Sequence, residues 1–179
     1  MLLLPLTIVE LTTPALAGAG QAMSLQPGDQ APDFTLHDQH GNPVTLSGLR
    51  GKTVVLSFYP WADTPGSTAQ ACGVRDHRAD YAQAGAVVLG VSPDPAHRNA
   101  NFDNKYGLGF PLLADRGSAV AEAYGVWVER SMHDRTLIGN ERTTFVISPE
   151  GMVSAVFRNV KPTEHDGLVL DALPGLELQ

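Results

Sequence analysis

Residues 53–67 read TVVLSFYPWADTPGS, and two patterns that decide the fold meet in this stretch. Residues 53–59 are mostly β-branched, aliphatic or aromatic, which is typical of a buried central strand. Pro60 ends the strand, because proline has no N–H to donate to a strand ladder. A further proline and a glycine lead into a helix predicted at 67–84, and Gly85 stands where such a helix should stop. The chain is therefore expected to pass from a central strand into a helix close to position 67.

Strands and helices are predicted to alternate on both sides of this stretch. In chain order the patterns predict a hairpin over 33–37 and 43–46, a strand at 86–92, a helix at 93–106, an extended piece at 110–113, a helix at 118–124, a hairpin over 143–148 and 152–157, and a last helix opened by the capping-box-like Thr163-x-x-Asp166. Residues 126–141 are expected to form a long irregular arm. This order predicts an α/β fold with a mixed sheet covered on both faces, with which the thioredoxin architecture is compatible.

Size and charge narrow the classes of function. The 179 residues fit one domain with a sizeable core. The net charge is −7, from 12 basic and 19 acidic residues, and no basic stripe is visible. This argues against a nucleic-acid or membrane-surface partner, because phosphate binding needs clustered lysine and arginine. The single cysteine, Cys72, cannot form an intrachain disulfide and fits a reducing compartment.

Residues 1–22 are expected to lie outside the folded domain, which we place at 23–179. Residues 1–9 are apolar and small residues follow, as in a secretory signal, but the basic region that such a signal needs is missing before Arg50. The apolar run is also far shorter than the ~20 residues that span a membrane. Two interpretations remain open: an export signal, or a start placed too far upstream, with Met23 as the real start. We expect a cytoplasmic protein, or a periplasmic one if residues 1–22 act as a signal.

Pro60, Thr64 and position 67 have the spacing P-x-x-x-T-x-x-C. This spacing resembles the active-site signature of one family, the peroxiredoxins, and the motifs around it resemble the bacterioferritin-comigratory (PrxQ) branch of that family. Further matches are GDQAPDF at 28–34, FYP at 58–60, AQACGVRD at 69–76, YGVW at 124–127 and ERTTFVI at 141–147. The resemblance covers almost all of residues 24–170. It implies a thioredoxin fold of the peroxiredoxin type, with an N-terminal β-hairpin and a central mixed sheet flanked by helices.

The resemblance also implies an activity and roles for individual residues. The family reduces hydrogen peroxide and organic hydroperoxides, is recycled by thioredoxin, needs no bound cofactor or metal, and in this branch is usually monomeric. Ser67 stands at the position of the peroxide-attacking cysteine, and Cys72 at that of the resolving cysteine. Arg142 would supply a cation and bind the peroxide, Thr64 would orient the attacked oxygen, and Pro60 would shape the loop.

Ser67 changes the chemistry that this pocket can perform. A helix N-terminus favours an anion, and a helix N-terminus or a nearby cation lowers the pKa of a cysteine from ~8.5 to ~3.5–7.5. A hydroxyl is far harder to ionise and would need an adjacent base. The neighbours in sequence, Asp63 and His77, form no recognisable serine-hydrolase arrangement. The serine therefore predicts a pocket of preserved shape without the peroxidase reaction, whether the serine is natural or engineered.

Cys72 has two interpretations. As a resolving residue it would attack a sulfenic acid at position 67 and form a disulfide. Five helical residues rise ~7.5 Å, whereas a disulfide tolerates Cα atoms no more than ~7 Å apart, so the helix would have to unwind. The other interpretation, which we favour without a thiol at position 67, is a small half-buried helix residue with no chemistry.

Two other functions stay open at this stage. The chain could be a natural pseudoenzyme, a thioredoxin-fold binding protein that has lost its nucleophile. Alternatively, Cys72 could serve as a surrogate peroxidatic thiol, although it would lie well inside the helix. Six histidines at 37, 40, 77, 97, 133 and 165 lack metal-ligand spacing, and most are expected to be solvated.

Overall fold

The computed structural model of the protein describes residues 24–175, so the predicted extension at 1–22 lies outside the described residues. The strands are β1 Thr35–His37, β2 Pro43–Thr45, β3 Thr53–Phe58, β4 Ala86–Ser92, β5 Leu112–Ala114, β6 Trp127–Met132, β7 Arg135–Asn140, β8 Thr143–Ile147 and β9 Val153–Phe157. The helices are α1 Pro65–Asp76, α2 Arg78–Gln83, α3 Ala96–Tyr106, α4 Ala119–Ala123 and α5 His165–Asp171, and a 3-10 helix spans Leu46–Leu49. In this part of the chain no helix is long and apolar enough to cross a membrane.

Seven strands form one mixed sheet in the order β2-β1-β5-β4-β3-β8-β9. Strands β3, β4 and β5 run parallel, with α1 and α2 in the first crossover and α3 in the second. Strand β8 pairs antiparallel with β3, and β9 pairs antiparallel with β8. The predicted mixed sheet and the predicted N-terminal hairpin, β1–β2, are confirmed.

Strand β3 is buried along its whole length because both of its faces are covered. Alternate residues Val54, Leu56 and Phe58 join the larger core, which also includes Ala121 of α4. Val55 points to the opposite face, where the second core includes residues of α1, α2 and α5, namely Val74, Tyr81 and Val169. The predicted cover on both faces is confirmed, and the C-terminal end of β3 leads directly to the turn before α1.

The helix predicted at 67–84 is two helices in the structure. Helix α1 already begins at Pro65, and the helical path breaks at His77, whose φ is −96° and ψ 15°. There the His77 ring nitrogen Nδ1 and its backbone N–H both lie against the carbonyl oxygen of Gly73. Gly85 has a φ of 66° and follows α2, as predicted for a helix stop.

Residues 126–141 were expected to be irregular, and this prediction was wrong. They form the separate two-stranded sheet β6–β7. Its turn residues His133 and Asp134 both have positive φ, 42° and 59°. Such a turn matches the twist of a hairpin, but it is usually built from asparagine and glycine, so the residues at 133–134 do not predict it.

The capping box predicted at Thr163-x-x-Asp166 is also wrong. Helix α5 begins at His165 with Glu164 at its N-cap position, and no side chain caps it. The Asp166 carboxylate instead accepts a hydrogen bond from the Tyr81 hydroxyl. The other predicted helices are confirmed, with α3 ending at Gly107 in the left-handed conformation.

Candidate active site

The turn between β3 and α1 places Ser67 in the first turn of α1. Thr64 is the N-cap residue, and its hydroxyl accepts a hydrogen bond from the Ser67 N–H at 3.4 Å. Pro65 occupies the first helical turn, where the missing N–H is no loss. Ser67 is only 2% exposed. The predicted position of Ser67 at a helix N-terminus is therefore confirmed.

The loop before α1 is held by contacts with other elements. Pro60 is half-buried and is the second residue after β3. The carbonyl oxygen of the preceding residue, Tyr59, accepts a hydrogen bond from Asn140 Nδ2 at 3.2 Å. The buried carboxylate of Asp94 accepts from the Ala62 N–H at 2.8 Å. These bonds fix the backbone that carries Thr64 and Ser67.

Asp63 lies on the solvent side of this loop and binds two residues of α3. Its φ is 60°, the left-handed region that aspartate tolerates better than most residues. Its carboxylate accepts from Lys105 Nζ at 2.9 and 3.1 Å and from the Tyr106 hydroxyl at 2.9 Å. Hydrogen bonds from Lys105 and then Tyr106 lower the pKa of Asp63.

Arg142 reaches Ser67 from the neighbouring strand. It directly precedes β8, which pairs with β3, and its Nη2 lies 3.4 Å from Ser67 Oγ. That distance is long for a hydrogen bond, so the neutral hydroxyl is held loosely. Burial, followed by the charge of Arg130, lowers the pKa of Arg142, but a guanidinium keeps its proton in proteins. The structure thus brings Thr64, Ser67 and Arg142 together.

Gln70 belongs to the site and was missed in the sequence. It is 4% exposed, one helical turn after Ser67, and its Oε1 accepts from Arg142 Nη1 at 2.8 Å. Its Nε2 donates to Ser57 Oγ at 2.7 Å, and Ser57 is the register partner of Thr144 on β8. A serine within a buried, mostly apolar strand was the signal that could have revealed this polar interior.

Cys72 lies on the same helix as Ser67 and is half-buried. It packs against the small cluster between α1 and α3 that includes Tyr59, Phe102 and Leu108. The prediction of a half-buried helix position is confirmed. Because α1 is continuous from Pro65 to Asp76, a bond between side chains 67 and 72 would require its first turns to open.

A mostly apolar pocket lies behind Ser67. Its cavity volume is only about 20 Å³, roughly the room that one water molecule needs. Its polar lining comes from Ser57, Ser67 and Gln70, and its apolar lining includes Tyr59, Ala71, Val74, Val88, Phe102, Phe110 and Leu112. The site therefore places a single helix-terminal side chain between a cation and an apolar wall.

No general base contacts Ser67 in residues 24–175. The hydrogen-bond partner of its Oγ in this part of the chain is Arg142, which can only donate. Asp63 is bound to Lys105, and His77 lies at the opposite end of α1. The described residues also contain no cluster of three or more potential metal ligands.

The histidines divide into two groups. Five are exposed, at positions 37, 40, 77, 97 and 133, as predicted for most of them. His165 is completely buried. Its Nε2 lies 2.9 Å from Thr144 Oγ1, which connects α5 to the polar interior next to Arg142.

A family model, protein sequences and solved structures that match this chain all point to the same kind of protein. The AhpC/TSA family matches residues 27–156. The peroxiredoxin Bcp of Escherichia coli K12 is 42% identical over 149 residues, covering 83% of this chain and 96% of that protein. Peroxiredoxin Q of Xanthomonas campestris is 36% identical with a TM-score of 0.76, over 80% of this chain and 90% of that one. A cysteine-to-serine mutant of PrxQ from Xylella fastidiosa is 31% identical with a TM-score of 0.79, over 83% and 95% of the two chains. These likenesses confirm the predicted thioredoxin-type fold.

Proposed function

This chain belongs to the AhpC/TSA family, as a peroxiredoxin of the Bcp (PrxQ) type, and from that membership we propose that its pocket serves thiol-dependent reduction of hydroperoxides, with Ser67 in the place of the attacking cysteine. The position of Ser67 carries the proposal: it is buried, in the first turn of α1, 3.4 Å from the Arg142 guanidinium. A thiolate at this position would be stabilised by the helix amides and by the cation.

The proposed reaction begins with a thiolate at position 67 and a hydroperoxide, ROOH. The sulfur attacks the terminal oxygen, the O–O bond breaks, and a sulfenic acid and ROH form after the departing oxygen takes a proton. Arg142 would stabilise the charge that spreads along the O–O bond. Thr64 would orient the attacked oxygen, and Pro60 would shape the wall of the pocket.

In the second half of the proposed cycle, the Cys72 thiol attacks the sulfenic acid, and a disulfide and water form. Helix α1 must open for this step, because both residues lie in its continuous part. A dithiol reductant of the thioredoxin type would then reduce the disulfide. We propose a monomer in the cytoplasm, or in the periplasm if residues 1–22 act as a signal.

The chain with Ser67 lacks the attacking thiol, so we propose that it is impaired in this reaction. Ser67 itself also favours a second candidate function: a thioredoxin-fold binding protein without peroxidase activity. The presence of Pro60, Thr64 and Arg142 favours the first candidate, because a pocket free of chemistry has less reason to keep all three. Cys72 is a poor surrogate nucleophile, since it lies more than a turn inside α1 and away from its N-terminal amides.

Peroxide consumption coupled to thioredoxin tests the proposal. We expect Ser67→Cys to turn over hydrogen peroxide and the chain with Ser67 to be silent, while the matched control Ser67→Ala is equally silent. Adding Cys72→Ser to Ser67→Cys should leave the first reaction intact and stop the thioredoxin-coupled turnover. If Ser67→Cys consumes no peroxide, the peroxidase proposal fails and the binding-protein candidate replaces it.

A further inference from the structure

A continuous line of hydrogen-bonded side chains crosses the interior from the site to α5. Its members, in spatial order, are Arg142, Gln70, Ser57, Thr144, His165 and Asp166. The first four links measure 2.8, 2.7, 2.9 and 2.9 Å, and the last measures 3.3 Å. The four members between the terminal arginine and aspartate are all buried. We refer to these six residues as the hydrogen-bond chain.

The direction of the first links is set by Arg142. A guanidinium can only donate, so the side-chain oxygen of Gln70 must accept and its NH₂ group must face Ser57. Ser57 Oγ therefore accepts from Gln70, and its own proton is available for the Thr144 hydroxyl. If Ser57 donates to Thr144, Thr144 directs its own proton at His165 Nε2. In this arrangement His165 is an acceptor at Nε2.

The direction of the last link is set independently by Asp166. Its Oδ1 accepts from the Tyr81 hydroxyl at 2.5 Å and lies 3.3 Å from His165 Nδ1. Burial, followed by the hydrogen bond to Asp166, raises the pKa of Tyr81, so that hydroxyl stays protonated. A carboxylate can only accept, so the proton of a neutral His165 ring belongs on Nδ1. The Asp166 end therefore assigns the ring tautomer, and the donor order that starts at Arg142 agrees with it.

We propose that His165, neutral and protonated at Nδ1, is a positioning residue that orients Arg142 from the far end of the hydrogen-bond chain. All donors in the chain point the same way, from a cation to an anion, and such bonds polarise and strengthen one another. Reversing one member places two donors or two acceptors face to face in a buried site. The chain thereby restricts Gln70 to one amide orientation and holds the guanidinium next to position 67. The consequence for catalysis rests on the proposed function.

The ring tautomer can be measured in the chain with Ser67, independently of any activity. A long-range ¹⁵N–¹H spectrum of the imidazole nitrogens at neutral pH should show His165 with a proton on Nδ1 and a bare Nε2. The exposed His40 and His97 provide internal references in the same spectrum. A proton on Nε2 of His165, alone or together with one on Nδ1, would overturn the proposal.

The effect on Arg142 is measured by the rate of rotation about its Nε–Cζ bond, again with Ser67 in place. Thr144→Val removes one hydroxyl from the middle of the chain at nearly constant shape. We expect it to speed the rotation about two- to tenfold, the factor that one net hydrogen bond supplies. The matched control is Tyr124→Phe, which removes a 2.7 Å bond to the Pro32 carbonyl in the other core and should leave the rotation unchanged. Equal rotation rates in the two variants would refute the positioning role.

Catalysis gives a further readout in the Ser67→Cys background. Thr144→Val and His165→Phe should lower the rate constant with peroxide about tenfold, because a misplacement of ~1 Å can cost ~100-fold and we expect a smaller shift of Arg142. Both should also raise the pKa of the thiol at position 67. His165→Gln can accept from Thr144 through its amide oxygen and should restore most of the rate. A His165→Gln protein as slow as His165→Phe contradicts the proposal. If Ser67→Cys is itself inactive, the proposed function fails, while the tautomer and the Arg142 rotation still decide this inference.

Discussion

The two faces of β3 hold different chemistry although they belong to one strand. On one face Phe58 ends an apolar row and packs into an aromatic cluster. On the other face the register pair Val55–Val146 is followed by Ser57–Thr144. Burying a large apolar side chain stabilises a fold by ~1.5–3 kcal/mol. The hydroxyls of Ser57 and Thr144 instead orient their hydrogen-bond partners. The apolar face therefore contributes more to the stability of the fold, and the face with Ser57 and Thr144 orients the groups next to Ser67.

The largest effect should come from breaking the apolar face. Phe145 is fully buried, and its ring centroid lies 5.9 Å from that of Phe58 and 5.2 Å from that of Tyr124. Phe145→Ala should lower the free energy of unfolding by ~3–5 kcal/mol, because it removes an aromatic ring and leaves a cavity. Urea denaturation measures the loss. The matched control is Leu137→Ala on the exposed hairpin, where the residue is 53% exposed and a change within ~0.5 kcal/mol is expected.

A Phe145→Ala protein that keeps its full stability would contradict the assignment of this face as the source of stability. The polar face should respond differently, because there one contact between helices fixes the end of the hydrogen-bond chain. Two helical glycines test that contact.

Gly73→Ala should destabilise the fold although alanine favours helices. A Cβ at Gly73 would overlap the Asp166 carboxylate of α5, which is held by Tyr81. We expect a loss of ~1–3 kcal/mol, typical of overpacking. Gly167→Ala is the matched control, because nothing lies within 4 Å of its Cβ, and it should stabilise α5 by up to ~1 kcal/mol. Thermal unfolding of both variants is decisive: if Gly73→Ala stabilises the fold as Gly167→Ala does, α1 and α5 are not in close contact at Gly73.

The same contrast explains what the sequence could predict. The central strand, the turn at Pro60 and the helix after it follow from apolar runs and from proline and glycine, which act locally. The site residues Thr64, Ser67 and Arg142 were found because their motifs resemble a family. Their meeting in space depends on the pairing of β8 with β3, which no local pattern specifies.

The features that were predicted wrongly are those that local sequence propensity does not determine. The hairpin β6–β7 turns at His133-Asp134, where two residues other than glycine adopt positive φ, and local propensity gives no sign of this. His165 and Asp166 look like surface residues of a polar helix start, but tertiary contacts with Thr144 and Tyr81 bury them. Long-range polar partners overrode the local preference for exposure in both residues.

The smallest effect should come from Asp63, whose exposed carboxylate lies in the loop between β3 and α1. Lys105 and Tyr106 lower its pKa below the ordinary value of 3.8. A depressed carboxylate stabilises the fold above the pKa of the unfolded chain, and this contribution is lost as the pH falls through the lower pKa of the folded state. Asp63→Asn tolerates the left-handed backbone and removes the charge, so it should abolish a small part of the stability at neutral pH and flatten the change below about pH 4. Melting curves from pH 2 to 7 measure this.

Asp134→Asn is the matched control, since it also has a positive φ, 59°, and no salt bridge within the described residues. If the two variants show identical pH profiles, the pairing with Lys105 does not stabilise the loop, and the buried bonds to Asp94 and Asn140 alone hold it in place.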